Sequence, residues 1–123
     1  MNNEEIFIEF KGALTENYCI SQLAIKNKSL NYYTFGGNGY NYEIDSLLQY
    51  KNEIIPIEIK SGVHKNKNSL NIYNDEYNPK LRVRISSNNL KLDGNLLNVP
   101  IFMVDYLYKL IDIALVELET EVL

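Results

Sequence analysis

Two alternating segments joined by a two-residue connector constrain the fold of this 123-residue chain more than any other feature. Residues 54–60 alternate between isoleucines on one face and Glu58 and Lys60 on the other, as expected of a half-buried strand. Residues 42–50 alternate in the same way, and only residues 51–52 separate the two segments. The apolar positions are Tyr42, Ile44, Leu48, Ile55, Ile57 and Ile59. The pattern predicts a tight β-hairpin.

The connector fixes which side chains of this hairpin face each other. With a loop at residues 51–52, Asp45 lies opposite Glu58, with Cβ atoms about 4.5–5.5 Å apart, and Glu43 lies opposite Lys60. Two carboxylates at that distance repel each other unless water or a cation intervenes. Such a pair also supplies the oxygen ligands that Mg²⁺ prefers. Alternating charges are equally a feature of the solvent-facing side of a sheet, so the hairpin alone leaves both interpretations open.

A third carboxylate and a lysine extend this candidate metal site. Residues 12–27 have the apolar periodicity of a helix of about four turns, and Glu16 interrupts its apolar stripe. If this helix packs over the polar face of the hairpin, Glu16 completes a site for Mg²⁺ or Mn²⁺ with Asp45 and Glu58. Lys60 then activates water or neutralises a transition state. Otherwise Glu16 reaches the sheet edge or caps a neighbouring element.

The composition, with 46% hydrophobic and 23% charged residues, is that of one compact domain. A single cysteine and a single histidine exclude an internal disulfide, cysteine-rich zinc sites and most Ser-His triads. The sequence contains no apolar run long enough to cross a bilayer, and its first residues lack signal-peptide character. We therefore expect a cytoplasmic protein without membrane contact, in which oxygen atoms bind any metal.

Basic residues concentrate in the middle of the sequence, although the net charge of the chain is −4. Residues 60–91 carry a net charge of +5, whereas residues 1–59 carry −4 and residues 92–123 carry −5. If the basic stretch borders the carboxylates, its cations can contact the phosphates of DNA; otherwise it is a solvated face. The candidate phosphate contacts are Lys65, Lys67, Arg82 and Arg84.

The remaining periodic segments predict an α/β fold. Helices are expected at residues 12–27, 69–77 and 105–119, further strands at 30–35, 81–85 and 99–104, and a turn at 93–95. Pro56 has no amide hydrogen, so we expect it at a sheet edge or a bulge. The order of these elements predicts a mixed sheet flanked by helices, in a single domain spanning residues 1–123.

These residues resemble a known arrangement. An acid on the first helix, then Asp45, then Glu58 and Lys60 on the next strand, is similar to the motif of the PD-(D/E)xK nuclease superfamily. The chain also resembles a domain of unknown function that follows an AAA-type ATPase module in many prokaryotic ATP-binding proteins. The segments that carry this resemblance are KGALTEN at 11–17, EID at 43–45, IPIEIKSG at 55–62, SL at 69–70 and YNP at 77–79. The resemblance covers about residues 9–105.

The resemblance implies a restriction-endonuclease-like core with the order α-β-β-β-α-β. It also implies that Asp45 and Glu58 bind the metal, that Glu16 is a further acid, and that Lys60 is the catalytic lysine. All four positions are occupied in this chain. Two departures are present: Ile44 stands where the superfamily motif has proline, and the sequence has no phosphate-binding glycine-rich loop of an ATPase.

Two functions are compatible with these observations. The first is a Mg²⁺- or Mn²⁺-dependent endonuclease domain that hydrolyses DNA, as an accessory domain of an AAA-type ATP-binding protein. The second is a non-catalytic interaction domain that docks a partner ATPase, in cis or in trans, and keeps the nuclease fold for its shape. The acidic residues and their lysine favour the first function. The acidic net charge and the missing ATPase module favour the second.

Overall fold

The computed structural model of the chain describes residue 18 and residues 33–36, 42–60 and 69–121. The strands are β1 (Tyr33–Phe35), β2 (Tyr42–Ile44), β3 (Ser46–Tyr50), β4 (Glu53–Ile59), β5 (Arg82–Ser86), β6 (Lys91–Asp93) and β7 (Leu96–Pro100). The helices are α1 (Ser69–Tyr77) and α2 (Leu107–Glu121), and a 3-10 helix (Ile101–Tyr106) leads into α2. The predicted first helix lies outside the described residues except for Tyr18, which is helical.

A mixed five-stranded sheet forms the centre of the described structure. Its strand order is β3-β4-β5-β7-β6, and β1 and β2 form a separate antiparallel pair. The three central strands are parallel, and the outer strands β3 and β6 run antiparallel to their neighbours. Helix α1 connects the parallel strands β4 and β5, which is the connection that a parallel pair requires. The prediction of an α/β fold with a mixed sheet flanked by helices is confirmed.

The main hydrophobic core lies between the sheet and α2. The inward isoleucines of the hairpin, Ile55, Ile57 and Ile59, are buried there as predicted. Helix α2 contributes Leu107, Ile111, Ala114 and Leu115, at the spacing of one helical face. Burying each such aliphatic side chain contributes about 1.5–3 kcal/mol to folding. This face of the sheet is therefore occupied by packing against α2.

The opposite face of the sheet carries α1 and a smaller apolar cluster. Ile44, Leu70 and Tyr73 are buried together there. The structure places α1 at the predicted residues 69–77, and Asn78 follows it in a left-handed conformation, with φ of 47°. The backbone N–H of Asn78 donates to the carbonyl of Asn74 at 2.9 Å, which closes the last turn. None of the described helices combines the length and apolar character that crossing a bilayer requires.

The hairpin between β3 and β4 has the predicted register. Its ladder runs from the pair of Tyr50 with Glu53 to the pair of Ser46 with Ile57. Both loop residues have positive φ, 49° for Lys51 and 65° for Asn52, as in the type I′ turns whose twist suits a hairpin.

Pro56 occupies a position of β4 at which no backbone N–H is needed for pairing with a neighbouring strand. Pro56 pairs with Leu47 on one side, and the pairing with β5 begins only at Ile57. Pro56 therefore occupies a stretch of β4 that is still an edge, as predicted.

The prediction of one continuous strand over residues 42–50 is wrong, because the chain bends at Asp45. Ile44 packs on the α1 face, whereas Leu48 belongs to the core under α2, although an unbroken alternation would place both on one face. Beyond the bend, β2 pairs with β1, with Glu43 opposite Thr34. The predicted pair of Glu43 with Lys60 is therefore also wrong.

The last strand ends earlier than predicted. We expected a strand over residues 99–104 and a helix over 105–119; the structure has β7 ending at Pro100, then the 3-10 helix, then α2. Pro100 cannot donate to a ladder, so it suits the last position of a strand. The predicted turn at residues 93–95 is present as the connection between β6 and β7, with Gly94 at a φ of 59°.

Candidate functional site

A row of polar side chains crosses the α1 face of the sheet. Glu58 pairs with Arg84, Arg84 with Asn98, and Asn98 with Lys91, so these four residues occupy one register line across four strands. The residues that alternate with them along the strands lie on the other face of the sheet, in the main hydrophobic core. Within the three parallel strands, Glu58 lies near the carboxyl end of β4, whereas Arg84 and Asn98 are the middle residues of β5 and β7.

Asp45 lies beside this row because of the bend. Its Oδ2 accepts a hydrogen bond of 2.6 Å from the backbone N–H of Ile59, the residue after Glu58. The backbone pairing of the hairpin ends at Ser46 and Ile57, one pair before Asp45 and Glu58. Beyond that point, the hydrogen bond from Ile59 to Asp45 connects the two segments. The bend thus brings Asp45 next to the end of β4.

Glu58 is the residue of the site whose ionisation is affected by the charges around it. Its side chain is 19% exposed, and burial raises its pKa above the ordinary value. Arg84 lowers this pKa, Asp45 raises it and Lys60 lowers it, with burial the largest effect. The charges of Asp45, Lys60 and Arg84 therefore all act on this one carboxyl group. Its ionised form is only partly compensated by the side chains around it.

Among the residues that the structure describes, Arg84 is the cation that forms an ion pair with Glu58. Its Nε lies 3.8 Å from Glu58 Oε2, which is an ion pair but too long for a hydrogen bond. This Nε is buried, and among the described residues it has no hydrogen-bond partner. A buried donor without a partner costs about 1–3 kcal/mol, so this contact marks an imperfectly satisfied ion pair.

Lys60 immediately follows β4. Its backbone N–H donates to the carbonyl of Ile85 at 2.8 Å, which extends the parallel pairing by one residue and fixes where its side chain starts. The side chain is partly buried, and its charge lowers the pKa of Glu58. The structure thus brings together three of the predicted site residues, namely Asp45, Glu58 and Lys60. Glu16, Lys65 and Lys67 lie outside the described residues.

Arg82 has a different environment from Arg84, although both lie on the same face of β5. It is 8% exposed, and its guanidinium donates to Oδ1 of Asn95 through Nε at 3.0 Å and Nη2 at 2.8 Å. Nη1 donates to Oδ1 of Asn71 at 2.9 Å and to the carbonyl of Leu70 at 3.4 Å. Burial lowers the pKa of Arg82. These contacts join β5 to α1 and to the β6–β7 turn, so the guanidinium is engaged inside the protein.

The carboxylates are the only metal ligands that the described site offers. Within residues 33–36, 42–60 and 69–121, no three His, Cys, Asp or Glu side chains form a group that could hold a metal ion. Asp45 and Glu58 are a pair, and the predicted third acid, Glu16, is outside these ranges. Sequence analysis missed Asn98 and the pairing of Arg84 with Glu58, because the register between parallel strands is not set by a short turn.

Comparison with known families identifies the chain. A family model described as a domain of unknown function, DUF4143, matches residues 11–103. The chain belongs to the DUF4143 family. The matched region contains Asp45, Glu58, Lys60 and the polar row, and it agrees with the resemblance to a domain of unknown function. Searches of curated proteins and of solved structures find no match. Assignment of this DUF4143 domain to the PD-(D/E)xK superfamily stays a prediction.

Proposed function

We propose that this DUF4143 domain is a divalent-metal-dependent nuclease of the PD-(D/E)xK type that hydrolyses DNA phosphodiesters. The observation that carries the proposal is the meeting of Asp45, Glu58 and Lys60 at the carboxyl end of β4, in the order and spacing of that motif. Partly buried carboxylates whose charges act on each other are a frequent feature of functional sites.

The donor set fits Mg²⁺ or Mn²⁺. Both acids offer oxygen ligands, and Mg²⁺ is usually held by one or two carboxylates together with water and substrate phosphates. Burial and Asp45 both raise the pKa of Glu58, so a cation beside the pair would favour its ionised form. When bound, such a metal lowers the pKa of a coordinated water and offsets charge on a phosphodiester. Glu16 is proposed as a third acid on the strength of the resemblance.

The protein residues have separate roles in this proposal. Asp45, held by the N–H of Ile59, and Glu58 bind the metal. The charge of Lys60 acts on Glu58, and in this proposal its ammonium orients the attacking water or neutralises the negative charge of the transition state. Lys65, Lys67 and Arg84 are proposed phosphate contacts. Arg82 is left out, since its hydrogen bonds are made within the protein.

Cleavage of DNA tests the proposal. Wild type and the variant Lys60→Ala are incubated with plasmid and with single-stranded DNA in Mg²⁺, in Mn²⁺ and in EDTA. We expect metal-dependent cleavage by the wild type and a loss on the order of 100-fold in Lys60→Ala, the usual size of a general-acid or charge-stabilising contribution. Lys80→Ala, a lysine that pairs with Glu53 and Glu119, is the control. Cleavage that is equal in Lys60→Ala and wild type would refute the role of Lys60.

A second candidate function is docking of a partner ATPase without catalysis. One face of α2 and its approach exposes apolar side chains: Tyr106 is 57% exposed, Ile113 60% and Val116 63%. These positions are spaced by seven and three residues, so they share one side of the helix, and an exposed apolar patch is typical of interaction surfaces. DUF4143 domains are often found with AAA-type ATPase domains, which makes such a module the partner to test.

Titration of a cognate AAA-type ATPase module against the full chain distinguishes the two functions. If the domain docks through α2, Ile113→Asp abolishes binding, whereas Asp75→Asn, an exposed position on α1, leaves it unchanged. The nuclease proposal alone expects neither variant to alter cleavage of DNA. Absence of association with the module at any concentration would remove the docking function.

A further inference from the structure

We propose that a cleft beside Glu58 binds a phosphate group of a nucleic acid strand, with Arg84 and Lys91 as its cationic contacts. The cleft has a volume of about 400 Å³ and is formed by β5, β6, β7 and the segment 88–90. This size is within the usual range of small-ligand sites. The inference rests on the proposed function for the identity of the ligand, and it adds a binding subsite next to the proposed metal pair.

The charges of the cleft are arranged in rows across the sheet. Arg84, Asn98 and Lys91 lie in one register line, so the two cations are separated by two strand spacings, roughly 10 Å at the backbone. A phosphate bound over Asn98 is within reach of both long side chains. Asp93, the acid of the cleft, lies in the next line with Leu96, and its charge acts on Arg82. The line nearest Glu58 is therefore the cationic one.

Arg84 connects the cleft to the catalytic pair. It lines the cleft, and its Nε is also 3.8 Å from Glu58 Oε2. This buried Nε has no hydrogen-bond partner within the described part of the chain. The Arg84 side chain as a whole is 22% exposed, and a guanidinium can contact phosphate through two parallel hydrogen bonds. Because Arg84 both lines the cleft and pairs with Glu58, the proposed phosphate subsite borders the proposed metal pair.

The wall of the cleft is fixed before any ligand arrives. Asn98 accepts a hydrogen bond of 2.6 Å from Ser86 Oγ, and its amide donates to the carbonyls of Asn88 and Asn89 at 3.0 Å each. The backbone N–H of Asn88 donates to Ser86 Oγ at 3.1 Å. Asn98 thus acts as a positioning residue for the segment 88–90. A wall that is already ordered loses little conformational entropy on binding.

Binding of DNA in the absence of metal tests the inference. Fluorescence anisotropy with a labelled oligothymidylate of about 12 nucleotides, a length that spans one typical site, is measured in EDTA, where cleavage does not occur. We expect Arg84→Gln and Lys91→Gln each to weaken affinity about tenfold and to reduce the salt dependence by about one ion. Lys109→Gln, on the solvent side of α2, is the control and leaves affinity unchanged.

Two further arms identify the ligand and separate this inference from the nuclease proposal. Competition by thymidine monophosphate but not by inorganic phosphate indicates a nucleotide subsite, whereas equal competition by both indicates a general phosphate site. Wild-type affinity in both Arg84→Gln and Lys91→Gln, or no binding by the wild type at about 1 mM chain, overturns the inference. If binding of DNA depends on Arg84 but no metal-dependent cleavage occurs, the phosphate cleft is supported and the nuclease proposal is refuted. If DNA is cleaved but binding is unchanged in both variants, the nuclease proposal is supported and the phosphate cleft is refuted.

Discussion

The ionisation of Glu58 is the property on which the candidate site depends. Burial and the charge of Asp45 raise its pKa, against the opposing effect of Arg84 and Lys60. A raised pKa means that the folded state binds the proton more tightly than the unfolded chain does. The folded state therefore loses stability as pH rises from the ordinary glutamate value of 4.5 to the raised value.

Replacing Glu58 by glutamine removes this pH-dependent loss of stability, because glutamine does not ionise. We expect the difference in unfolding free energy between Glu58→Gln and wild type to shift in favour of the variant as pH rises above the ordinary glutamate value of 4.5. Urea unfolding in EDTA at a series of pH values measures it. Added Mg²⁺ should reduce the difference at pH 7, since it stabilises only the carboxylate. A difference that is constant across this range would contradict the assigned environment of Glu58.

Two arginines on one strand provide a matched test of structural and functional cations. Arg82→Gln removes hydrogen bonds to Asn71 and Asn95, and we expect it to destabilise the fold by about 3 kcal/mol. Arg84→Gln removes a 3.8 Å ion pair whose Nε makes no hydrogen bond to a described residue, and we expect a smaller loss than in Arg82→Gln. Chemical denaturation of both variants measures the contrast. Equal losses would show that the two residues have the same structural role.

Sequence patterns predicted the polar face at residue level but not the roles of its members. Alternation placed Arg82 and Arg84 on one face of a strand, which is where the structure has them. It could not separate them, because Arg82 is engaged by Asn95 and Asn71, from a turn and a helix distant in sequence. Tertiary hydrogen bonds of this kind leave no periodic signal.

The β3–β4 hairpin is the element that creates the site, and its turn sets its register. Asn52 has a φ of 65°, a conformation that costs glycine nothing and asparagine little. We expect Asn52→Gly to stabilise the protein by about 0.5 kcal/mol and Asn52→Ala to destabilise it by about 1 kcal/mol. Thermal or urea unfolding checks both signs. If Asn52→Gly destabilises the protein by more than the added backbone entropy of glycine in the unfolded chain explains, the side chain of Asn52 has a stabilising role of its own.

The bend at Asp45 shows where element-level prediction ends. A two-residue loop determines the pairing next to it, so the register from Tyr50 to Ser46 was predictable. The bend depends on Ile44 packing against Leu70 and Tyr73 of α1, contacts that the strand pattern does not contain. As a consequence of the bend, Asp45 accepts the hydrogen bond from the backbone N–H of Ile59.

At the scale of the molecule, the two faces of the sheet carry different kinds of residues. The α2 side holds the main core, and the hairpin is tied to α2 by Asp112. Its Oδ2 accepts a hydrogen bond of 2.9 Å from Tyr50, and its Oδ1 lies 2.8 Å from Lys51 Nζ. Hydrogen bonds from Lys51 and Tyr50 lower the pKa of Asp112. The α1 side is left for the polar row.

The tie through Asp112 gives a prediction for the whole fold. A lowered pKa stabilises the folded state above the ordinary aspartate value of 3.8, and this contribution is lost as pH falls through the lowered value. We expect Asp112→Asn to reduce the midpoint of thermal unfolding at pH 7, and the reduction to shrink as pH falls below that ordinary value. Glu117→Gln on the same helix is the control. A reduction that persists unchanged under acid conditions would refute the electrostatic tie.

Metal binding tests the central claim most directly, that Asp45 and Glu58 form one site for a divalent cation. Calorimetric titration of MnCl₂ into the full chain is compared for wild type, Asp45→Asn, Glu58→Gln and the control Asp75→Asn. The account predicts one ion bound in the wild type and in the control, with a dissociation constant on the order of 1 mM or lower, and loss of binding in both site variants. No binding by the wild type at about 10 mM Mn²⁺, or equal binding by all four proteins, would contradict it.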